Sequence, residues 1–212
     1  TNMKKLTILA LVITCLSATA QNKKYTDAME KNVAAVDTSR TIEQLQPLEN
    51  NFERIANAEK KEWLPYYYAE YCNVSMTYAT KGNVIDTYCD KADALARKAD
   101  SLSPNNSEIL SLKAQIAAAR IGVNPMVRGQ KFGSEAHALR EKAKSIDPTN
   151  PRPWFLEGMS LFYTPSAFGG GKDKAKVSYT KALELFEMFK PASSIHPAWG
   201  KQTTAYFLKQ CD

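Results

Sequence analysis

The residue types most used for catalysis and metal binding are sparse in this sequence. It contains 2 histidines, His137 and His196, which lie far apart in the chain. Neither belongs to an H-E-x-x-H motif, and no C-x2-C pair is present, whereas metal sites in proteins usually need three or four converging ligands. We therefore predict two surface histidines, no metal and no cofactor.

One short glycine-rich segment could be mistaken for a phosphate-binding loop, but its spacing is wrong. The segment Gly169-Gly170-Gly171-Lys172 precedes a predicted helix, yet Asp173 follows the lysine, so the G-x4-G-K-[ST] spacing of a phosphate loop is missing. We expect a corner loop there, because glycines permit a tight reversal. No G-x-S-x-G nucleophile motif occurs either. We predict a protein that is not an enzyme.

An aromatic segment, residues 63–81, is the most informative feature for recognition. Its predicted packed stripe follows helical spacing and consists of Tyr67, Tyr71, Val74 and Tyr78. Tyr66 and Tyr68 are each turned about 100° away from Tyr67 on a helix. They could form a recognition surface, because tyrosine joins a rigid apolar body to a polar tip. Alternatively, they pack on the preceding helix, where Phe52 and Ile55 need cover.

The helices that position these residues are predicted from start and stop signals in the sequence. Thr41 and Gln44 have the spacing of a capping box, and Asn150 before Pro151 is typical of a helix start. The first predicted helix begins near Thr41. Further helices are predicted over residues 63–81, 84–102, 106–121, 134–147, 151–163, 172–189 and 197–210, and Asn105 is the predicted cap of the helix over 106–121. No segment alternates strictly between apolar and polar residues, so we predict an all-α fold without a sheet.

The predicted helices contain an internal repeat. Ala92, Ala96, Ala99 and Pro104 recur at one constant offset as Ala136, Arg140, Ala143 and Pro148, and a third copy is Ala175, Tyr179 and Ala182. Small residues two turns apart allow helix axes to approach closely, and the proline ends the helix. Because each helix pair has apolar faces that it cannot cover alone, the pairs must stack.

These residues resemble the tetratricopeptide repeat family. The second-helix signature A-x3-[Y/F/A]-x2-A-x4-P is present in the first copy, and the first-helix signature W-x3-G-x2-[L/Y] is present as Trp154, Gly158 and Leu161. The resemblance implies a right-handed superhelix of antiparallel helix pairs, about three repeats with a terminal capping helix. The period here is longer than the family's, so we expect insertions at residues 122–133 and 167–172, at corners between paired helices.

The resemblance also implies a ligand groove. In this family the first helix of each repeat lines a concave surface. In the repeat that matches the family signature best, the corresponding positions are Arg152, Phe155, Met159, Phe162 and Tyr163. In the middle repeat they are Glu108, Ser111, Gln115, Ala118 and Ala119. A guanidinium among apolar and aromatic groups suits an extended peptide that carries a carboxylate.

The N-terminal segment has the layout of a secretory signal peptide. Two lysines precede an apolar stretch, which ends in an A-x-A site before Gln21. We predict a signal peptide over residues 1–20, an N-terminal helical segment over 21–60 and a repeat domain over 61–212, in an exported, periplasmic protein whose mature chain has no transmembrane segment. Lipidation at Cys15 is the alternative.

Of the later cysteines, Cys72 and Cys89 could form a disulfide, but their helical register favours free, buried thiols.

Composition limits the function further. The chain has 212 residues, 44% of them hydrophobic, and a net charge of +6, which is too small an excess to indicate nucleic-acid binding. We predict a non-catalytic scaffold or adaptor that binds another protein or an extended peptide in the cell envelope. The alternative is a small-molecule-binding component of an uptake system, with an aromatic pocket near Trp63, Tyr66 and Tyr68; an enzyme of unrecognised type is a third hypothesis.

Overall fold

The computed structural model describes residues 23–212, and all regular structure in that range is helical. The described part of the first helix, α1, covers residues 23–38. It is followed by α2 (Ile42–Ala58), α3 (Trp63–Thr77), α4 (Val84–Leu102), α5 (Ser107–Ile121), α6 (Pro125–Ile146), α7 (Arg152–Tyr163), a 3-10 turn (Ser166–Phe168), α8 (Lys172–Met188) and α9 (Lys201–Lys209). The predicted all-α class is confirmed for this part of the chain.

Neighbouring helices in the sequence are also neighbours in space. From α2 to α9, each helix packs on the next, and α5 also contacts α3 and α7. The helices α3, α5 and α7 therefore form one continuous layer, while α4, α6 and α8 lie behind them. Buried small residues line the packed faces of the outer helices: Ala92, Ala96, Ala99, Ala136, Ala143, Ala175 and Ala182.

The N-terminal helices extend the core instead of forming a separate one. Met29 of α1 and Phe52 of α2 are fully buried in the same apolar cluster as Tyr68 of α3. The predicted capping box is present at the start of α2, where the Thr41 hydroxyl accepts from Gln44 N and the Gln44 side chain reaches back to the cap. The division of the chain at residue 60 stays a prediction.

The predicted corner loop at residues 122–133 is wrong. Most of it is the first part of α6, which begins at Pro125. The Asn124 side chain accepts a hydrogen bond from Val127 N, so this asparagine is the N-cap and the proline occupies the first turn. The loop is predicted from Gly129 and Gly133. A glycine lowers the stability of a helix by only about 1 kcal/mol, and tertiary contacts can offset this loss.

Two further helix starts differ from the prediction. The cap of α5 is Asn106, whose side chain accepts from Glu108 N, while Asn105 has a φ of 56°, a left-handed turn that asparagine tolerates. The last helix begins at Lys201, and residues 189–200 form turns and irregular chain. Gly200, with a φ of 111°, makes the change of direction into α9.

The cysteines within the described residues are free and buried: Cys72, Cys89 and Cys211. Burial raises the pKa of each thiol, so these groups are protonated and unreactive at neutral pH.

The predicted signal peptide and Cys15 lie outside the described residues. Among the helices of residues 23–212, none has the length and apolar character required to cross a membrane.

Candidate functional site

A cleft of about 570 Å³ lies on the inner layer of helices, within the range of about 300–1,000 Å³ that is common for small-molecule sites. Helices α3, α5 and α7 contribute to its lining, together with the end of α1, one residue of α2, and the segment leading into α9 with the first turn of that helix. Its lining residues are Val36, Asp37, Ser39, Arg40, Leu45, Tyr71, Ser75, Tyr78, Gln115, Phe155, Leu156, Met159, Ala198, Trp199, Gly200, Lys201, Gln202 and Thr203.

An aromatic wall runs along one side of this cleft. The rings of Tyr71 and Trp199 are 5.1 Å apart, and those of Phe155 and Trp199 are 6.2 Å apart. Each ring comes from a different part of the chain: α3, α7 and the segment before α9. Aromatic rings at these separations attract one another. The ring planes are inclined by 37° for Tyr71 and Trp199 and by 73° for Phe155 and Trp199, so together they present an apolar surface with differently oriented rings.

The charged residues of the cleft are Asp37, Arg40 and Lys201, which leaves an excess of one positive charge at neutral pH. Burial raises the pKa of Asp37, and Arg40 and Arg152 oppose that rise. Lys201 forms a 2.9 Å ion pair with Glu187, and both side chains are about half exposed. Exposed pairs of this kind contribute little to stability, so the ammonium is available to an anionic ligand.

A neutral polar group lies on the base of the cleft. Gln115 Nε2 of α5 donates a 3.0 Å hydrogen bond to the Tyr78 hydroxyl of α3. The other amide atom, Gln115 Oε1, is buried and has no hydrogen-bond partner among the described residues. A buried acceptor without a partner is costly, so a ligand or water molecule that donates to this oxygen would be favoured.

Beneath the aromatic wall lies a buried charged cluster, which we call the Arg152 cluster. Arg152 Nη1 donates to Glu108 Oε1 at 2.7 Å, and Nη2 donates to the Pro197 carbonyl at 2.5 Å. Trp199 Nε1 donates to the Tyr67 hydroxyl at 2.9 Å, and that hydroxyl lies 3.5 Å from Glu108 Oε2. Burial raises the pKa of Glu108, while Arg152 opposes the rise.

The structure brings three of the predicted groove residues, Phe155, Met159 and Gln115, to the cleft. Arg152 is completely buried beneath it. Tyr163 is exposed at the end of α7, where its ring contacts Phe162 and Phe207.

The two tyrosines predicted from the aromatic segment face α2 and α4, away from the cleft. Tyr66 donates to the Ala56 carbonyl at 3.3 Å, and the Lys98 ammonium lies over its ring. Tyr68 is buried and stacks on Phe52 with 5.2 Å between ring centres. The stripe residues Tyr71 and Tyr78, interpreted from the sequence as packing residues, are the ones that line the cleft.

Sequence reasoning missed the charged residues of the cleft. Arg40 follows α1, and Lys201 begins α9, so both lie outside the recurring alanine pattern. No motif connects two such positions, because they meet only after the whole layer of helices has formed. Trp199 was recognisable as an aromatic residue near the C-terminus, but its position in a cleft wall was not.

One group of side chains has the composition of a metal site. His137, Glu141 and Glu157 place ligand atoms within 4.8 Å of one another. The Lys144 ammonium lies 2.8 Å from Glu141 and 2.9 Å from Glu157 and also covers the Trp154 ring. This ammonium forms ion pairs with both carboxylates, so we assign the group to ion pairing.

Comparisons with known proteins give one informative match. No protein-family model matches the chain, and no curated protein matches it. Among solved structures, the chain is similar to the HusA haemophore from Porphyromonas gingivalis, with 35% sequence identity and a TM-score of 0.81. The match covers 88% of this chain and 92% of the HusA chain, so the similarity extends over nearly the whole fold.

Proposed function

The chain belongs to the family of the HusA haemophore, and from this premise we propose that it binds haem, or a closely related porphyrin, in the cleft. The observation that carries the proposal is the combination of an aromatic wall with a positively charged rim in one cleft. HusA is a haem carrier by its description. The proposal corresponds to the small-molecule alternative from the sequence and replaces the peptide adaptor as the favoured function.

The chemistry of a porphyrin matches the two parts of the cleft. Its flat macrocycle is apolar and aromatic, so it can stack on Tyr71 and Trp199 and contact Phe155. Its two propionates are anionic and can bind Arg40 and Lys201 through charge-assisted hydrogen bonds. Burial of the macrocycle supplies affinity, and the charged rim fixes which edge of the ligand faces the solvent.

Iron ligands are also present in the cleft. A phenolate or a thioether can coordinate haem iron, and Tyr71, Tyr78 and Met159 carry these groups. Burial raises the pKa of Tyr71, so coordination through its phenolate requires the loss of a tightly held proton, whereas the Tyr78 side chain is largely exposed. We therefore assign most of the binding free energy to the macrocycle and the propionates.

Titration with haem and with metal-free protoporphyrin, followed by absorbance, tests this function. We expect saturable binding of one molecule per chain, and we expect Tyr71→Ala to raise the Kd at least about tenfold because part of the stacking surface is lost. Tyr66→Ala is the matched control, since Tyr66 lies in the same helix and packs outside the cleft. Absence of binding to the unmodified chain, or equal effects of the two variants, would contradict the proposal.

Three finer points complete the proposal. We infer that the protein is a non-catalytic binder and that it is exported, with the signal peptide removed before Gln21. N-terminal sequencing of the mature protein tests the cleavage site. We also infer that the helix pairs α3/α4, α5/α6 and α7/α8 form a tetratricopeptide-like right-handed superhelix with α9 as its cap, which is supported by the contacts of α5 with α3 and α7.

A further inference from the structure

We propose that Arg152 is a positioning residue for the ligand cleft: from beneath the wall, it holds Trp199 in the place where the ligand stacks. This inference rests on the proposed function. Arg152 does not line the cleft, whereas Trp199 does. The sequence had suggested a direct contact between Arg152 and a ligand carboxylate, and the buried position of the guanidinium assigns it this different role.

Arg152 joins several elements at one point. It is the largest fully buried side chain of the described residues, and it connects Glu108 of α5 to the carbonyl of Pro197. Its guanidinium also lies 4.8 Å from the Phe189 ring centre and 5.1 Å from that of Trp199. A planar guanidinium can make hydrogen bonds at its edge and stack on its faces at the same time.

The segment that Arg152 holds has little regular structure of its own. Residues 189–200 form turns and irregular chain between α8 and α9. Near its end, Pro197 provides the carbonyl for Arg152, and two residues later Trp199 provides the ring. Because no helix or sheet fixes this segment, the position of the Trp199 side chain depends on its side-chain contacts.

A second contact holds the N–H group of the same ring. Trp199 Nε1 donates to the Tyr67 hydroxyl, which faces Glu108, the ion-pair partner of Arg152. The indole is therefore held by stacking and by its N–H group, while its remaining surface contacts Tyr71 and Phe155 at the cleft. Displacement of the guanidinium would remove the stacking restraint and leave Glu108 without its ion-pair partner, which would disturb the stacking surface.

The first experiment measures porphyrin affinity in a variant without the buried charges. Arg152→Met alone would leave the Glu108 carboxylate buried and unpaired, which is strongly destabilising. The double variant Arg152→Met/Glu108→Gln removes both charges at similar volume. We expect its Kd for metal-free protoporphyrin to rise at least about tenfold, within the coupling range of contacting residues, with the helical content retained.

A double-mutant cycle separates positioning from general loosening. If Arg152 acts through Trp199, the double variant should change the Kd by less than about threefold in a Trp199→Ala background, since the positioned ring is already absent. Arg120→Met is the control: it breaks ion pairs with Asp86, Asp90 and Asp93 away from the cleft, so it should reduce stability and leave the Kd unchanged.

Hydrogen–deuterium exchange of the ligand-free protein provides a readout that needs no ligand. Residues 193–203 should exchange faster in the double variant than in the unmodified chain, and Arg120→Met should leave them unchanged. An unchanged Kd, an equal loss of affinity with and without Trp199, or unchanged exchange would overturn the role of Arg152 while the proposed function stands. If the unmodified chain binds no porphyrin, both proposals fail.

Discussion

At the scale of single residues, the rim of the proposed ligand cleft carries charged side chains. Arg40 is exposed beside the cleft, and its guanidinium donates a hydrogen bond to the Ser39 carbonyl. It shares the rim with Asp37, whose negative charge it opposes. Within residues 23–212, the Arg40 guanidinium forms no salt bridge, so it could pair with a carboxylate that enters the cleft.

We predict that Arg40→Gln raises the Kd for protoporphyrin about fivefold, which corresponds to about 1 kcal/mol for an exposed charge pair. The effect should decrease at high salt, because salt screens exposed charges. Titration with the dimethyl ester of the porphyrin is the sharpest control, since this ligand has no propionate charge and should bind both proteins equally. Lys98→Gln, outside the cleft, should have no effect, and an Arg40 effect that persists with the ester would contradict the assignment.

A second residue-scale feature is Glu70, a completely buried carboxyl group in α3. Neither of its oxygens has a hydrogen-bond partner among the described residues. Burial raises its pKa well above the usual value, and Asp93 and Asp100 add to the rise while Lys113 opposes it. The folded protein therefore keeps this group protonated at pH values where the unfolded chain releases the proton.

The sign of the resulting pH dependence follows from linkage. Because the folded pKa is the higher one, the stabilising contribution is complete below the unfolded pKa and is lost as the pH rises. Relative to Glu70→Gln, the free energy of unfolding of the unmodified chain should fall above pH 4.5 by up to about 1.4 kcal/mol per pH unit. Denaturant unfolding between pH 5 and 8 measures this, with the exposed Glu184→Gln as control. A difference that does not vary with pH would exclude this account of Glu70.

At the scale of the elements, the packing of α7 on α8 depends on one glycine. A Cβ atom at Gly158 would lie 2.5 Å from the Tyr179 ring of α8, far inside the contact distance of two carbons. The glycine therefore sets how closely the two helices approach. Tyr179 is fully buried, so its ring cannot move aside without disturbing the apolar cluster that contains Phe155.

We predict that Gly158→Ala lowers the free energy of unfolding by about 1–3 kcal/mol, the usual cost of overpacking. Gly129→Ala in α6 is the matched variant, because nothing lies within 4 Å of its added Cβ. It should raise stability by about 0.5–1 kcal/mol, as alanine does in a helix interior. Chemical denaturation of both variants measures the difference, and a destabilised Gly129→Ala together with a neutral Gly158→Ala would contradict this picture of the helix packing.

The sequence predicted the helices well where a cap and an apolar period agree, as at Thr41 for α2. It failed at α6, where the glycines suggested a loop although Asn124 and Pro125 carried the start signal. Of the predicted site residues, Phe155, Met159 and Gln115 lie in the cleft. The remaining part of the cleft was not predictable, because Arg40 and Lys201 meet through tertiary contacts that leave no local pattern.

At the scale of the whole molecule, the cleft depends on the two ends of the described chain. The layer of α3, α5 and α7 alone would form an open surface. The end of α1 and the segment that runs into α9 complete the lining of the cleft. Elsewhere along these two parts of the chain, Ser194 Oγ donates to Glu30 of α1 at 2.6 Å. A site lined in this way suits a compact ligand better than an extended peptide.

The most direct test of porphyrin binding in this cleft uses methyl resonances of methionine. Met159 lines the cleft, whereas Met126 and Met188 are exposed elsewhere. The protein is labelled at its methionine methyl groups and titrated with diamagnetic zinc protoporphyrin, and Met159→Leu assigns the cleft resonance. The account predicts a ring-current shift at Met159 with Met126 and Met188 unmoved. Bound porphyrin that shifts Met126 or Met188 and leaves Met159 unchanged would contradict it.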